Sequence, residues 1–260
     1  MNKKILKSSL AIAIASLYIY LAVTPSHPLK PMETPRSVGL CIMATGKYVE
    51  FVEPLINSAE HYFLPGHKHT YFVFTDHIDK LPNNPHIIPI FQARMGWPYD
   101  SMMRTATYAK HKEQFKGCDY LYACDADMVF VDYIGDEILG NLVGTLHPGF
   151  TFRRGTYEQR PESQACVAPA EGKHYFAGGF YGGTQEQFVN LIESLTSSIQ
   201  KDLDHGIVAK WHDESHLNRF FIDHEPSTIL DTSYCYPEGW SLETHPRLIA
   251  LTKNKWSFRS

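Results

Sequence analysis

Two carboxylates separated by one small residue follow an apolar, aromatic-rich run in Asp119-Tyr-Leu-Tyr-Ala-Cys-Asp125-Ala-Asp127-Met-Val-Phe130. Side chains two apart on a strand share a face. Asp125 and Asp127 therefore suit a hard divalent cation, magnesium or manganese, that keeps positions open for phosphate oxygens. The same pair also reads as acidic residues at a strand end, solvated or capping the next helix. A second cluster, Trp211-His-Asp-Glu-Ser-His-Leu-Asn218, gathers two carboxylates, two imidazoles and an indole ahead of an apolar helical face at Leu217, Phe220 and Phe221. The plainer reading makes Asp213 a helix-start residue. His212 and His216, i,i+4, invite a zinc hydrolase, but Asp213 stands where that pattern has Glu, and a third ligand is missing. In Tyr175-Phe-Ala-Gly-Gly-Phe-Tyr-Gly-Gly183 two glycine pairs suit a strand and turn approached closely by a ligand or another backbone. A structural bend accounts for them equally.

The elements that must position these residues follow an alternating pattern. Val38 to Ala44 reads as a strand, Val49 to Phe63 as a helix with Val52, Leu55, Ile56 and Ala59 on its apolar face, and Thr70 to Thr75 as the next strand. His86 to Ile90 adds a third strand, and Ser101 to Phe115 a helix leading into the strand that carries Asp125. The succession predicts an α/β fold with a parallel sheet and sets both aspartates at its C-terminal edge, where open α/β sheets bind ligands. No G-x-G-x-x-G follows the first strand and no Walker-type G-K-[ST] occurs, so neither a dinucleotide fold nor a P-loop is supported. With 260 residues and a net charge of -4, the chain has the length for one substantial domain and no electrostatic reason to bind nucleic acid. Five cysteines, an odd number without a C-x-x-C pair, spell neither a zinc site nor a disulfide framework. The N-terminus differs: Lys3, Lys4 and Lys7 precede an uncharged apolar stretch from Ser8 to Val23. Residues 1–24 read as a single-pass type II membrane anchor, with a cleaved signal peptide as the alternative. Residues 25–36 form a short Pro-rich stem, and 37–260 the catalytic domain.

The order of the segments resembles glycosyltransferase family 6, the histo-blood-group transferase and α-1,3-galactosyltransferase family. The resemblance is carried by Tyr71-Phe-Val-Phe-Thr-Asp76, the D-x-D block, Gly144-Thr-Leu-His-Pro-Gly-Phe150, Thr156-Tyr-Glu-Gln-Arg-Pro-Glu-Ser163, Gly178-Gly-Phe-Tyr-Gly-Gly183 and the Trp211 to Asn218 cluster. It implies a GT-A fold with a mixed, mainly parallel central sheet, preceded by the N-terminal apolar helix. It also implies transfer of N-acetylgalactosamine or galactose from a UDP-sugar, with retention and in α-1,3 linkage, to a galactose-terminated glycan. By the same resemblance Asp125 and Asp127 hold manganese on the diphosphate, and Glu214 is the catalytic carboxylate. Met43, Thr45 and Tyr48 contact uridine, Arg104 lies on the donor side, and Asp213 bonds the transferred sugar. Gly149, Ala177 and Gly179 match positions that set the donor sugar, and Lys253 and Arg259 a basic tail over the diphosphate. His147, Thr156 and Trp211 match acceptor contacts. A membrane-tethered carbohydrate-binding protein without turnover is the alternative, and the short stem leaves the compartment, Golgi or bacterial inner membrane, open.

Overall fold

The computed structural model describes residues 34–254 and residue 258. The apolar N-terminal segment, most of the stem and Arg259 lie outside the described residues. No described helix is long and apolar enough to cross a membrane.

The chain alternates strands and helices in the order β1 (Ser37–Met43), α1 (Val52–Tyr62), β2 (Lys68–Thr75), β3 (Ile87–Phe91), α2 (Tyr99–Met102), α3 (Arg104–Lys110), β4 (Tyr120–Asp125), β5 (Met128–Phe130), β6 (Leu142–Leu146), β7 (Phe176–Thr184), α4 (Gln185–Asp204), α5 (Asp213–Asp223), β8 (Thr228–Leu230), β9 (Tyr236–Pro237) and β10 (Leu248–Ala250). The main sheet has seven strands in the order β3-β2-β1-β4-β7-β6-β8. The β1–β2, β1–β4, β2–β3 and β6–β8 pairs are parallel, whereas β7 runs antiparallel to both β4 and β6. The sheet is thus mixed and mainly parallel, as expected. A small sheet, β5-β10-β9, flanks it.

Period-two alternation splits the central strands between two cores. Leu40, Ile42, Tyr122 and Cys124 pack with α1 residues Val52, Leu55, Ile56 and Ala59 on one face. Cys41, Leu121 and Ala123 pack on the other against Phe188, Leu191, Ile192, Leu195 and Ile199 of α4 and Leu217, Phe220 and Phe221 of α5. Burial on both faces explains why these strands read as continuous apolar runs.

Three expectations change in detail. The helix expected from Ser101 to Phe115 is broken at Met103 into α2 and α3, followed by a 3₁₀ turn over Lys112–Phe115. The break turns Arg104, the first residue of α3, into the interior, where it is 5 % exposed. The glycine-rich segment is not a strand ending in a turn but one continuous strand in the middle of the sheet. A Cβ on Gly182 would lie 2.2 Å from the Leu121 carbonyl oxygen, so glycine permits the β4–β7 pairing there. Finally, Asp125 ends β4, and Ala126 and Asp127 form the turn into β5. The aspartates therefore reach the same space through a turn, not through the pleat of one strand.

Candidate active site

At the C-terminal ends of β1 and β4, where Met43 is in register with Asp125, a cleft of about 410 Å³ opens. Thr45 and Tyr48 line it from the turn after β1, Asp125, Ala126 and Asp127 from the end of β4, Gly178 and Gly179 from β7, and Trp211 to Glu214 from the start of α5. Arg104, His147 and Lys253 complete the set of expected residues that border it. Three described residues do not. Ala177 is buried in β7, Thr156 sits behind Trp211 and accepts a hydrogen bond from its Nε1 at 2.8 Å, and Gly149 lies beneath the His147 ring; Arg259 is outside the described residues.

Arg104 is the hub of the cleft floor. Its Nε donates to Asp213 Oδ2 at 2.6 Å, its Nη2 to the Gly178 carbonyl at 2.8 Å, and its Nη1 to Asp125. Burial opposes its charge, but Asp213 and then Asp125 outweigh burial and push its pKa further up. Such a fork joins the end of β4 to the start of α5 with little freedom. The Ser101 hydroxyl donates to the other Asp213 oxygen at 3.3 Å.

Glu214, next on α5, is held from two sides. The Gly178 N–H donates to its Oε2 at 2.9 Å and the Tyr175 phenol to its Oε1 at 3.0 Å. Burial lifts its pKa to about 7, against those two hydrogen bonds and with Asp213 and Asp125 adding repulsion. The helix N-terminus favours carboxylates at both positions. One turn later, Asn218 fixes the whole element. Its Nδ2 donates to the carbonyls of Phe176 and Glu214, each at 2.9 Å, and its Oδ1 accepts from the Phe176 N–H at 2.8 Å. The residue before the helix, His212, has φ 53°, a left-handed conformation in a non-glycine residue, of the kind found where function demands strain. Its ring meets Trp97 edge-on at 4.9 Å.

On the opposite lip Lys253 and Phe258 border the cleft. Lys253 pairs with Asp127 and lies over the Tyr48 ring at 4.9 Å, while Phe258 packs on Tyr48 and Phe51, both at 5.3 Å between centroids. Burial lowers the His147 pKa to about 4, so the ring is neutral. Because its Nδ1 accepts from the Gly149 N–H at 3.0 Å, the proton resides on Nε2, available to an oxygen ligand.

Asp125 and Asp127 fit a hard cation by donor chemistry. Both carboxylates border the cleft and the Asp125 side chain is 42 % exposed. No third protein ligand of the His, Cys, Asp or Glu types joins them among the described residues, so a bound ion would take its remaining oxygens from substrate or water. The zinc arrangement fails on geometry. His212 faces Trp97, whereas His216 is buried, with Nδ1 2.9 Å from Ser198 Oγ and Nε2 3.5 Å from Asp202.

Sequence reasoning missed the roles of Tyr175, Asn218, Trp97 and the Gly178 N–H. Asn218 stands in the carboxylate-imidazole cluster, and its i+4 spacing from Glu214 is the signal that could have found it. Nothing in the local pattern points to Trp97.

Similarity to known proteins agrees with this geometry. The family model for glycosyltransferase family 6 matches residues 30–259. The chain is 38% identical over 239 residues to histo-blood group ABO system transferase 1 of Rattus norvegicus, covering 86% of this chain and 69% of that protein. It is 36% identical over 224 residues to globoside alpha-1,3-N-acetylgalactosaminyltransferase 1 of Homo sapiens, covering 82% and 64% respectively. The mouse protein of that name is 38% identical, covering 81% of this chain and 64% of its own length. With the paired carboxylates, the Arg104 fork and Glu214 gathered in one cleft, the chain belongs to glycosyltransferase family 6 and is a retaining hexosyltransferase.

Proposed function

We propose that this enzyme transfers N-acetylgalactosamine from UDP-N-acetylgalactosamine to the 3-hydroxyl of a galactose-terminated glycan, forming an α linkage. The observation that carries the proposal is the shared cleft, in which the Asp125/Asp127 pair and Glu214 stand on either side of Gly178 and Gly179. The names of the relatives, ABO transferases and globoside α-1,3-N-acetylgalactosaminyltransferases, support the linkage and donor class.

In this reading uridine lies along Met43, Thr45 and Tyr48. Asp125 and Asp127 would hold manganese, which when bound would supply Lewis-acid neutralisation of diphosphate charge. Lys253 exchanges its partner from Asp127 to a phosphate oxygen, and Arg259 follows it as a second cation. Asp213, anchored by Arg104 and Ser101, accepts hydrogen bonds from the sugar hydroxyls. Glu214 faces the anomeric carbon with an ionised carboxylate and stabilises the positive charge that develops there as the bond to the diphosphate oxygen breaks; the acceptor hydroxyl then bonds to that carbon and its proton passes to the released diphosphate. On the acceptor side the Trp211 indole packs against a sugar ring, oriented by its bond to Thr156, and His147 Nε2–H donates to an acceptor oxygen.

Small residues near the sugar favour the larger donor. A Cβ added at Gly179 would meet Met128 Cε at 3.4 Å and Asp125 Oδ2 at 3.5 Å, ordinary contact distances that leave the backbone undisturbed but take up room in the cleft. An acetamido group needs that room, and crowding rejects it. Residues 1–24 anchor the enzyme in a membrane, with the catalytic domain across it.

The deciding experiment compares kcat/KM for UDP-N-acetylgalactosamine and UDP-galactose on fucosylated and unfucosylated galactosides, with the product linkage read by NMR. A β product, or clear preference for UDP-galactose, overturns the reading. Gly179→Ala is expected to move the preference toward galactose.

A further inference from the structure

Tyr175 immediately precedes β7 and links two groups of residues that the reaction must bring together. Its ring belongs to a small core with Tyr157 and Val167, against which Phe150 packs. The centroids of Phe150 and Tyr157 lie 4.7 and 5.0 Å from it, and His147 approaches edge-on at 5.7 Å. Gly155 is equally committed to this ring, since a Cβ there would lie 1.9 Å from Tyr175 Cδ2. The ring is thus clamped by the segment that carries the acceptor-side residues His147 and Thr156. Its hydroxyl points the other way and donates to Glu214 Oε1 at 3.0 Å. Thr156 stands next to this phenol, and its hydroxyl accepts from Trp211 Nε1 at 2.8 Å. The exposed indole, Thr156, the phenol and the carboxylate therefore stand in one line, hydrogen-bonded at its two ends and in side-chain proximity at its middle.

We propose that Tyr175 is a positioning residue that ties the acceptor platform of Trp211 and Thr156 to Glu214, so that seating the acceptor and orienting the carboxylate are one event. The inference rests on the reading of Glu214 as the reacting carboxylate. Neighbouring residues that share partners couple, so that their deletions are not additive. Two donors fix a carboxylate in one rotamer, whereas the Gly178 N–H alone leaves it free to swing about one bond. The groups facing Glu214 are the Tyr175 phenol and the Gly178 N–H from the β7 side, Asp213 on its own helix, Asp125 from β4 and Cys235 beyond. Of these only the phenol also touches the acceptor side.

The test uses Tyr175→Phe, Thr156→Val, the double variant and Glu214→Gln in the full-length enzyme, with thermal melts to establish folding. Tyr175→Phe keeps the packed ring and is expected to lower kcat about tenfold with donor KM little changed, and to move the acid limb of the pH profile upward, because a hydrogen bond to the ionised form is lost. Thr156→Val should shift the same limb less. The double variant should be no slower than Tyr175→Phe alone. Multiplicative losses in the double variant, or an unmoved acid limb in Tyr175→Phe, overturn the inference. Turnover retained by Glu214→Gln instead overturns the reading of Glu214 itself, and an inactive Glu214→Gln beside an unaffected Tyr175→Phe sinks the linkage alone.

Discussion

Glu214 works at the margin of its own ionisation. With its pKa lifted to about 7 by burial, the protonated form dominates below that value and lacks the charge that the reacting carbon requires. kcat/KM is therefore expected to climb with pH through about 7 and then level off, as a pH profile at saturating metal would read. The stability consequence has the opposite sign. A carboxyl whose pKa is raised in the folded state binds its proton more tightly there than in the unfolded chain, so stability falls as pH rises from the ordinary carboxylate range to about 7. Glu214→Gln, isosteric and uncharged, is expected to lose kcat by at least about a hundredfold while melting no lower, and at an alkaline pH higher, than the wild type. A stability–activity exchange of this kind marks a residue kept for chemistry. Asp127→Asn tests the other carboxylates. Because two anions otherwise meet a diphosphate directly, the variant and a chelated wild type are both expected to lose most transfer, with activity restored to the wild type by manganese.

At the scale of elements, the strand glycines divide into those that serve pairing and those that serve the cleft. A Cβ at Gly182 would stand 2.2 Å from the Leu121 carbonyl oxygen, and Gly183, with φ 149°, would bring one to 2.1 Å from the Asn141 carbonyl oxygen. Gly182→Ala is therefore expected to cost roughly 2–4 kcal/mol through displaced pairing, seen as a fall in Tm, whereas Gly179→Ala keeps its Tm and changes donor choice. The sequence made β1, β2, β3 and β4 legible because apolar runs of strand length bounded by polar turns carry their own signature, and the Trp211 to Asn218 cluster announced both the helix start and its carboxylates. The glycine pairs were ambiguous, since glycine marks turns and close strand approach alike, and only the β4 backbone beside Gly182 distinguishes them. The break at Met103 left no mark in the local pattern, and what it positions is distant: Arg104, just after it, bonds Asp125, Asp213 and the Gly178 carbonyl. Tyr175 was hidden for the same reason, as its partner Glu214 lies on a separate element.

On the scale of the whole molecule, β10 is the last strand of the framework. Leu248 and Ala250 pair with Phe130 and Met128 of β5, so removal of residues from Lys253 onward is expected to leave the melting transition intact while weakening donor use. A cut before Leu248 should instead lower the Tm, because it strips the small sheet that backs the Asp127 turn. The strand order has a consequence for how the enzyme is made. β7 lies between β4 and β6 although β5 and β6 precede it in the chain, so a nascent polypeptide that has just passed Asp125 presents the open side of β4 to its surroundings with nothing yet synthesised to cover it. Parallel strands already wait on a distant partner, and an exposed edge rich in Tyr, Leu and Cys is prone to stick to other chains. The ribosome must add Phe176 to Thr184 before that edge is sealed, and the same addition brings Gly178 to Arg104. Sealing of the β4 edge and the joining of Gly178 to Arg104 on the cleft floor are thus one event during biosynthesis, with Asp213 and Glu214 added afterwards, and a stalled or truncated product ending before β7 carries half a nucleotide site and a sticky border.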